Sequence, residues 1–398
     1  MRLVLCNEDH PEYGVATIPF PIPDDEYGNC ISKLEALGIG GVTDSDCYVD
    51  QIEDAPPALD FLRGMRVNVD EVDFLARSMD RYTDYELAQF QALLHDRGYH
   101  DMMTIINLSF CCDGATVITD FSNLDAVGKE HYLNINGGSA PADKFDALNG
   151  EGIARDLISS GVGKVTPYGV LYDNGTQLIA AYTGKSFLPY SDKHYLVEIQ
   201  LAPPPNAEEG TPSTMLYMPT PEKRLERLLE RGEYLVSSDI HITDWMTEFP
   251  SQIQDCLRVN KDELYELNKM ACAIGKLAKE ELDTLSAAVL IAKPEYPSQI
   301  RHLAENLDQF EFIPNIKSAE ALGRFMIQQS GHFEYDPNWE GFYDYAKYGG
   351  QRVKEQAGEF TELGYIGYTG TLSLEELMME DPAEQYQREQ EQGMGGIS

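Results

Sequence analysis

Carboxylates and tyrosines are concentrated near the end of the sequence, where the run Tyr343-Asp344-Tyr345-Ala346-Lys347-Tyr348-Gly349 lies. The carboxylates in and around it are Asp336, Glu340, Asp344, Glu355, Glu359 and Glu362. In a helix Tyr345 and Tyr348 share a face, and Gly349 suits a left-handed helix end. Two interpretations stay open. The tyrosines fill a core beside a capping glycine, or the carboxylates form a surface that binds lysines and arginines arranged for phosphates.

A second acidic cluster lies in the first half of the chain. Its members are Asp44, Asp46, Asp50, Glu53 and Asp54. A calcium loop is excluded because Tyr48 stands at position five, position six lacks glycine and Ala55 stands at position twelve. A solvated acidic face and a phosphate-mimicking stripe both remain open.

Residues with catalytic or metal-binding chemistry are few. Cys6, Glu8, Asp9 and His10 are close in sequence, but no second cluster of metal ligands accompanies them. The run Gly38-Ile39-Gly40-Gly41 lacks the Lys-Ser/Thr of a phosphate loop, and no nucleophile signature occurs. We therefore predict no catalytic residue, no metal and no cofactor.

The 398 residues carry 67 Asp and Glu against 30 Lys and Arg, a net charge of −37. This balance excludes nucleic-acid binding through a basic surface and adhesion to an anionic membrane. A solvated surface, a halophile surface and mimicry of a polyanion are the interpretations to compare, although lysine is not depleted as the second would require. The charge equals the phosphate load of about 60 Å of duplex DNA. It is spread along the chain, with 31 acids and 13 bases in residues 1–195 and 29 and 16 in residues 196–370.

Apolar residues make up 42% of the chain, which is enough to fill real cores. No run of 18 apolar residues occurs, and the first residues soon turn polar without a signal-peptide core. Seven cysteines without CxxC spacing indicate reduced thiols. We expect a cytoplasmic, bacterial protein.

The sequence repeats itself at a spacing of about 195 residues. Five matches occur in the same order: residues 18–23 with 216–221, 46–49 with 239–242, 67–71 with 259–263, 126–129 with 321–324, and Thr166, Gly169 and Gly175 with Thr361, Gly364 and Gly370. Their offsets are 198, 193, 192, 195 and 195. We call residues 1–195 the first repeat and residues 196–370 the second repeat.

Each repeat is predicted to be α+β, with a small α/β part, a helical part and a second α/β part. The predicted boundaries are 1–58, 59–112 and 113–195, then 196–250, 251–310 and 311–370, followed by an acidic, largely disordered tail at 371–398. Thr214–Met218 is predicted as a strand and Glu222–Arg231 as a helix that follows Pro221. Apolar residues at three- and four-residue spacing predict the helices of the middle parts. Phe360 and Tyr365–Tyr368 around Leu363-Gly364 predict a hairpin.

The second repeat resembles the ArdA-type antirestriction proteins of mobile elements. The resemblance rests on Phe342–Gly349, on Gly358-Glu359-Phe360-Thr361 and Gly364-Tyr365-Ile366, and on the order of the three parts. It covers about residues 196–370 well and the first repeat more loosely, and the whole chain is similar to the long, two-unit members of gut Firmicutes. The first repeat departs from the family pattern, since Asp146–Gly150 stands where the aromatic motif is expected.

The resemblance implies an elongated tandem of two ArdA-like units and a non-enzymatic mimic of bent B-form DNA. Such a protein competes with DNA for the specificity and modification subunits of type I restriction–modification enzymes. Typical members of the family pair as dimers, which implies a homodimer, whereas the internal repeat suggests the alternative of an intramolecular pseudo-dimer of the two repeats. The second hypothesis is an acidic protein-binding module for another basic DNA-binding or defence protein.

Overall fold

The computed structural model describes residues 1–175, 177–190, 193–207, 210–331 and 334–379. The fold is mixed α+β, with helices and small antiparallel sheets. It divides into two compact units, which we call unit 1 and unit 2. Unit 1 contains Met1–His194, Pro203–Met215 and Pro221–Asp239. Unit 2 contains Tyr195–Ala202, Leu216–Thr220 and the chain from Ile240 onward.

The first repeat contains seven strands and seven α-helices within the described residues. The strands are β1 Arg2–Cys6, β2 Val15–Pro19, β3 Cys47–Glu53, β4 Arg66–Val67, β5 Ala115–Ile118, β6 Lys164–Thr166 and β7 Gly169–Asp173. The helices are α1 Tyr27–Ala36, α2 Val69–Met79, α3 Asp84–Arg97, α4 Met102–Ser109, α5 Leu124–Ile135, α6 Ala142–Asp146 and α7 Gly150–Ser160.

The second repeat and the residues after it supply the remaining elements. The strands are β8 Val197–Leu201, β9 Thr214–Met218, β10 Ile242–Thr247, β11 Phe310–Pro314, β12 Glu359–Phe360 and β13 Gly364–Tyr368. The helices are α8 Glu222–Arg231, α9 Ser251–Cys256, α10 Leu264–Ile274, α11 Lys279–Ala292, α12 Pro297–Glu305, α13 Ala319–Gln328, α14 Tyr345–Glu355 and α15 Leu374–Met378. The predicted strand and helix at Thr214–Met218 and Glu222–Arg231 are confirmed, as is the hairpin of β12 and β13.

The two repeats have matching sheets. The order β2-β1-β3 in the first repeat corresponds to β9-β8-β10 in the second, where no described strand corresponds to β4, and β5-β7-β6 corresponds to β11-β13-β12. The register shifts where β3 pairs with β1, between Val4 and Leu5, and also where β10 pairs with β8, between Ile242 and Asp244. The internal repeat seen in the sequence is therefore also a repeat of secondary structure and strand order.

Local signals explain where the helices begin. The Asn68 side chain accepts hydrogen bonds from the backbone N–H groups of Asp70 and Glu71 and so caps α2. Thr83 and Glu86 form a capping box at the start of α3. The apolar faces of these helices are buried, as Leu75 and Phe90 show with exposures of 0% each.

The helix α8 lies in unit 1, although the sequence repeat placed it with residues 196–250 of the second repeat. Its arginines are buried against carboxylates of the first repeat, a contact that no local pattern reveals. The predicted acidic tail begins with α15, in which Leu377 and Met378 are buried. Residues 380–398 lie outside the described residues.

The prediction that Gly349 ends a helix is wrong. Gly349 lies inside α14, and its φ is not positive. A Cβ atom built on Gly349 would lie 1.8 Å from the Ala319 carbonyl oxygen of α13, and one on Gly323 would lie 1.9 Å from the Tyr345 carbonyl oxygen. Glycine stands at these positions because the backbones of α13 and α14 touch where the helices cross.

Candidate functional site

Asp336, Glu340, Tyr343 and Asp344 of the predicted set lie between α13 and α14 in unit 2. We call residues 334–345 the acidic–aromatic segment. Its central residues, Pro337–Phe342, form a 3₁₀ turn. The Asp336 side chain caps this turn by accepting a hydrogen bond from the Asn338 N–H. Asp344 caps α14 by accepting a hydrogen bond from the Lys347 N–H at 3.0 Å. Both aspartates therefore help to hold the segment in place while remaining at least partly exposed.

Glu340 is the centre of a hydrogen-bond network that fixes this segment. Its carboxylate accepts hydrogen bonds from the hydroxyls of Tyr335 and Tyr345, from Gln328 at 3.2 Å and from Arg324 at 2.9 Å. The hydrogen bond from Tyr335, followed by that from Tyr345, lowers the pKa of Glu340 below its ordinary value. The same bond raises the pKa of Tyr335 to about 12. Glu340 is thus hydrogen-bonded within the protein while its side chain stays 43% exposed, and its role in meeting a partner remains a prediction.

The tyrosines of the motif extend this network. The rings of Tyr335 and Tyr343 are 5.7 Å apart, and those of Tyr343 and Tyr345 are 5.8 Å apart. Tyr345 is buried, and the guanidinium of Arg324 lies 4.5 Å from the centre of its ring. Tyr348 is half-buried against the small core of Ile313, Leu322, Met326 and Tyr365. Tyr345 is therefore a buried residue and Tyr348 packs at the edge of this core.

The remaining predicted carboxylates of the second repeat are exposed. Glu355 lies at the end of α14 and accepts a hydrogen bond from Gln351 at 2.8 Å. Glu359 lies on β12. Glu362 lies in the following turn and accepts a hydrogen bond from Gln252 at 3.0 Å. These three side chains are placed near the β12–β13 hairpin and remain open to solvent.

The acidic cluster of the first repeat lies in unit 1, around β3. Asp46 accepts hydrogen bonds from the backbone N–H groups of Gly40 and Gly41, both at 2.9 Å, so it shapes the turn before the strand. Asp54 forms an exposed ion pair with Arg2 at 3.0 Å, which contributes little to stability. Asp44 and Asp50 are exposed.

Three arginines of α8 form a site that the sequence did not predict. Arg224, Arg227 and Arg231 share one face of the helix, and their exposures are 5%, 5% and 3%. Their spacing of three and four residues was the available signal, but it does not distinguish a solvated face from a buried one.

These arginines bind carboxylates and backbone carbonyls of unit 1. Arg224 donates to Asp73 at 2.9 Å and to Asp24 at 3.1 Å. Arg227 donates to Asp70 at 2.8 Å and to the Gly40 carbonyl oxygen at 2.8 Å. Burial alone would raise the pKa of Asp70, but the charge of Arg227, supported by Arg231, lowers it below its ordinary value. Burial raises the pKa of Asp73 despite the charges of Arg224 and Arg77, so the two carboxylates of the cluster are shifted in opposite directions.

A groove of about 370 Å³ lies beside this cluster in unit 1. It is lined by residues 38–42 and by Glu35, Asp46, Lys223, Glu226, Arg227 and Glu230. The Lys223 ammonium lies 3.3 Å from carboxylate oxygens of both Glu35 and Glu226. The groove is thus lined by carboxylates and by two cations, Lys223 and Arg227, that are already paired.

Because more cations than carboxylates are buried, the surface of the protein is more acidic than the net charge of −37 indicates. Among the described residues, the buried cations are Arg77, Arg224, Arg227, Arg231 and Arg301, and the buried carboxylates are Asp70, Asp73 and Glu266. Five positive and three negative charges are thus removed from the surface. The rest of the chain carries −39.

Neither a metal-binding cluster nor a membrane-spanning helix is found in the described part of the chain. In the described part of the chain, no group of three or more His, Cys, Asp or Glu residues is arranged to hold a metal ion. No helix there has the length and apolar character to cross a membrane. No protein-family model, no curated protein and no solved structure matches this chain.

Proposed function

We propose that this protein is a non-enzymatic antirestriction protein that mimics B-form DNA. It occupies the DNA-binding groove of type I restriction–modification enzymes and competes with DNA for their specificity and modification subunits. The observation that carries this proposal is the excess of negative charge, because the described residues bury five arginines and three carboxylates and leave −39 on the remainder of the chain. A groove that holds a phosphate backbone with Lys and Arg attracts such a surface.

The carboxylates that meet the partner are those the fold leaves exposed. In unit 2 they include Glu355, Glu359 and Glu362, and in unit 1 Asp44 and Asp50. Asp336 and Asp344 contribute the oxygens that remain free of their capping bonds. Glu340 and Asp46 act by holding the backbone that presents these groups.

The proposed arrangement is an elongated tandem of two ArdA-like repeats, residues 1–195 and 196–370. This tandem acts as an intramolecular pseudo-dimer, or it pairs further as a homodimer. Small-angle X-ray scattering of the full chain tests this arrangement. We expect an extended envelope, and a compact one would contradict the tandem.

The function is tested by competition. A labelled cognate duplex is bound to a purified type I modification enzyme, and the full-length protein is added over a salt series. We expect displacement at stoichiometric levels that weakens steeply with salt, because ion pairs replace phosphate contacts. Absence of displacement by folded protein would remove this target. Equal displacement from unrelated DNA-binding proteins would favour the acidic-module hypothesis.

Charge reversal separates a specific surface from overall charge. The variant E359K/E362K changes two exposed carboxylates near the β12–β13 hairpin, whereas D283K/E295K changes two exposed carboxylates of the helical part by the same total charge. We expect E359K/E362K to weaken displacement by about tenfold and the control by about twofold or less. Equal losses in the two variants would show that only net charge matters. Circular dichroism verifies that both variants fold.

A further inference from the structure

Two large aromatic side chains project from the acidic–aromatic segment. Trp339 is 55% exposed and Phe342 is 79% exposed, although both rings are large and apolar. Their ring centres are 5.4 Å apart, so they form one patch. The patch lies on the 3₁₀ turn that Asp336 caps and that Glu340 ties to α13 and α14. A fixed, exposed aromatic pair is typical of a binding surface.

The charges around this patch indicate what binds to it. Residues 334–345 contain four carboxylates, at Glu334, Asp336, Glu340 and Asp344, and no lysine or arginine. A second copy of the chain would bring like charges against each other, which disfavours self-association through this patch. A cationic occupant neutralises the exposed carboxylates and covers the rings.

The protein itself shows how such an occupant is bound. Arg324 lies 4.5 Å from the ring centre of Tyr345 while it donates to Glu340 at 2.9 Å. Arg224 lies 4.2 Å from the ring centre of Tyr27 while it donates to Asp73. In both places a planar guanidinium lies over an aromatic face and pairs with a carboxylate, a combination that a lysine ammonium reproduces poorly.

We propose that Trp339 and Phe342 bind arginine side chains of a basic protein partner, with Asp336 and Asp344 as the nearby carboxylates. The patch therefore makes the acidic surface selective for arginine over lysine. This inference rests on the proposed function only for the identity of the natural partner, since the arginine preference is a property of the patch.

Hexa-arginine and hexalysine peptides test the preference on the full chain. The chain has two tryptophans, so the variant W245F leaves Trp339 as the single fluorescent reporter. We expect both peptides to bind, with hexa-arginine changing the Trp339 emission and binding about two- to fivefold more tightly than hexalysine. Binding of hexa-arginine without any change in Trp339 emission would overturn the proposal.

The double variant W339L/F342L removes the aromatic faces but keeps apolar side chains. Calorimetric titration should then give equal affinities for the two peptides and an unchanged hexalysine affinity. The control M246A alters a 61% exposed apolar residue elsewhere in unit 2 and should keep the arginine preference. A preference that survives in W339L/F342L would also overturn the proposal.

The DNA-competition assay distinguishes this inference from the proposed function. If the wild-type protein displaces DNA, W339L/F342L should need about tenfold more protein for the same displacement. Undiminished displacement by this variant would contradict the role of the patch. If the wild-type protein displaces no DNA but prefers hexa-arginine, the target is wrong and the arginine-binding patch stands.

Discussion

The two repeats share their helix crossings but differ in the surfaces that these crossings support. In the second repeat Gly323 and Gly349 bring α13 and α14 into backbone contact. In the first repeat Gly128 occupies the position of Gly323, and a Cβ atom on it would lie 1.8 Å from the Gly150 carbonyl oxygen of α7. Ala154 is buried at the position of Gly349. The crossing thus recurs, with glycine at one of the two positions and alanine in place of glycine at the other.

The acidic surface does not recur. At the common offset of 195 residues, the six carboxylates of the second repeat correspond to residues of the first repeat that are not acidic. The corresponding residues are Pro141, Phe145, Asn149, Ser160, Lys164 and Pro167. Trp339 and Phe342 correspond to Lys144 and Ala147. The comparison separates the helix crossing, which both repeats contain, from the acidic and aromatic residues around it, which only the second repeat contains.

One buried hydrogen-bonded contact occurs in both repeats but is made by different residues. Asp73 in α2 accepts a hydrogen bond from the Ile22 N–H at 2.6 Å, and Asn268 in α10 accepts one from the Thr220 N–H at 2.9 Å. Asn268 also donates to the Thr220 carbonyl oxygen at 2.8 Å, a role that Arg77 performs for Ile22 in the first repeat. The same contact is ionic in one repeat and neutral in the other.

The largest expected effect comes from removing this contact in each repeat. D73A leaves Arg224 and Arg77 buried with one carboxylate fewer and should cost about 3–5 kcal/mol of unfolding free energy. N268A removes a neutral pair of hydrogen bonds and should cost about 1–3 kcal/mol. Urea denaturation followed by hydrogen exchange localises each loss to α2 or α10. Equal losses would show that the ionic and neutral contacts are equivalent.

The glycine crossing gives the next largest effect. G349A should cost about 1–3 kcal/mol, because α13 and α14 must separate to admit the methyl group. G350A changes the neighbouring residue, where no atom lies within 4 Å, and should be neutral or stabilise by about 0.5–1 kcal/mol. G128A, at the position that corresponds to Gly323, tests whether the crossing of the first repeat also excludes a methyl group. Thermal unfolding measures all three variants, and a loss in G350A matching that in G349A would contradict a role for close packing.

The smallest expected effect is a pH dependence of the structure around Trp339, which only the second repeat should show. Hydrogen bonds from Tyr335 and Tyr345 lower the pKa of Glu340, so its stabilising contribution is complete above the ordinary value of 4.5 and is lost as the pH falls below it. Trp339 emission in the W245F variant should therefore change on acidification below pH 4.5. E340Q should remove most of this change. The first repeat has Phe145 at this position and offers no equivalent titration.

Local patterns in the sequence predicted much of the fold. The bounds of β9 and α8, the β12–β13 hairpin and the internal repeat follow from spacing and turn residues close in the chain. The role of Gly349 was missed because a helix end and a close crossing both require glycine, and the choice depends on Ala319, which is distant in sequence. The hydrogen bonds of Glu340 could not be predicted because its tyrosine and arginine partners become neighbours only after folding.

The exposed aromatic pair was missed for a different reason. Trp339 and Phe342 are apolar, and apolar residues are usually assigned to a core. An available signal was that residues 334–345 hold four carboxylates together with Pro337 and Gly341, a composition that rarely lies inside a protein. The burial of Arg224, Arg227 and Arg231 had no comparable signal, since exposed helices carry the same spacing.

The placement of α8 limits how genes for such chains can recombine. The repeat in the sequence ends near residue 195, but unit 1 also contains Pro221–Asp239. A crossover at the repeat boundary would join the carboxylates Asp24, Asp70 and Asp73 to an α8 from another lineage, whose arginines need not match them. Exchange after Asp239 would keep these partners together. We therefore expect recombination to exchange unit 1 as a whole rather than residues 1–195.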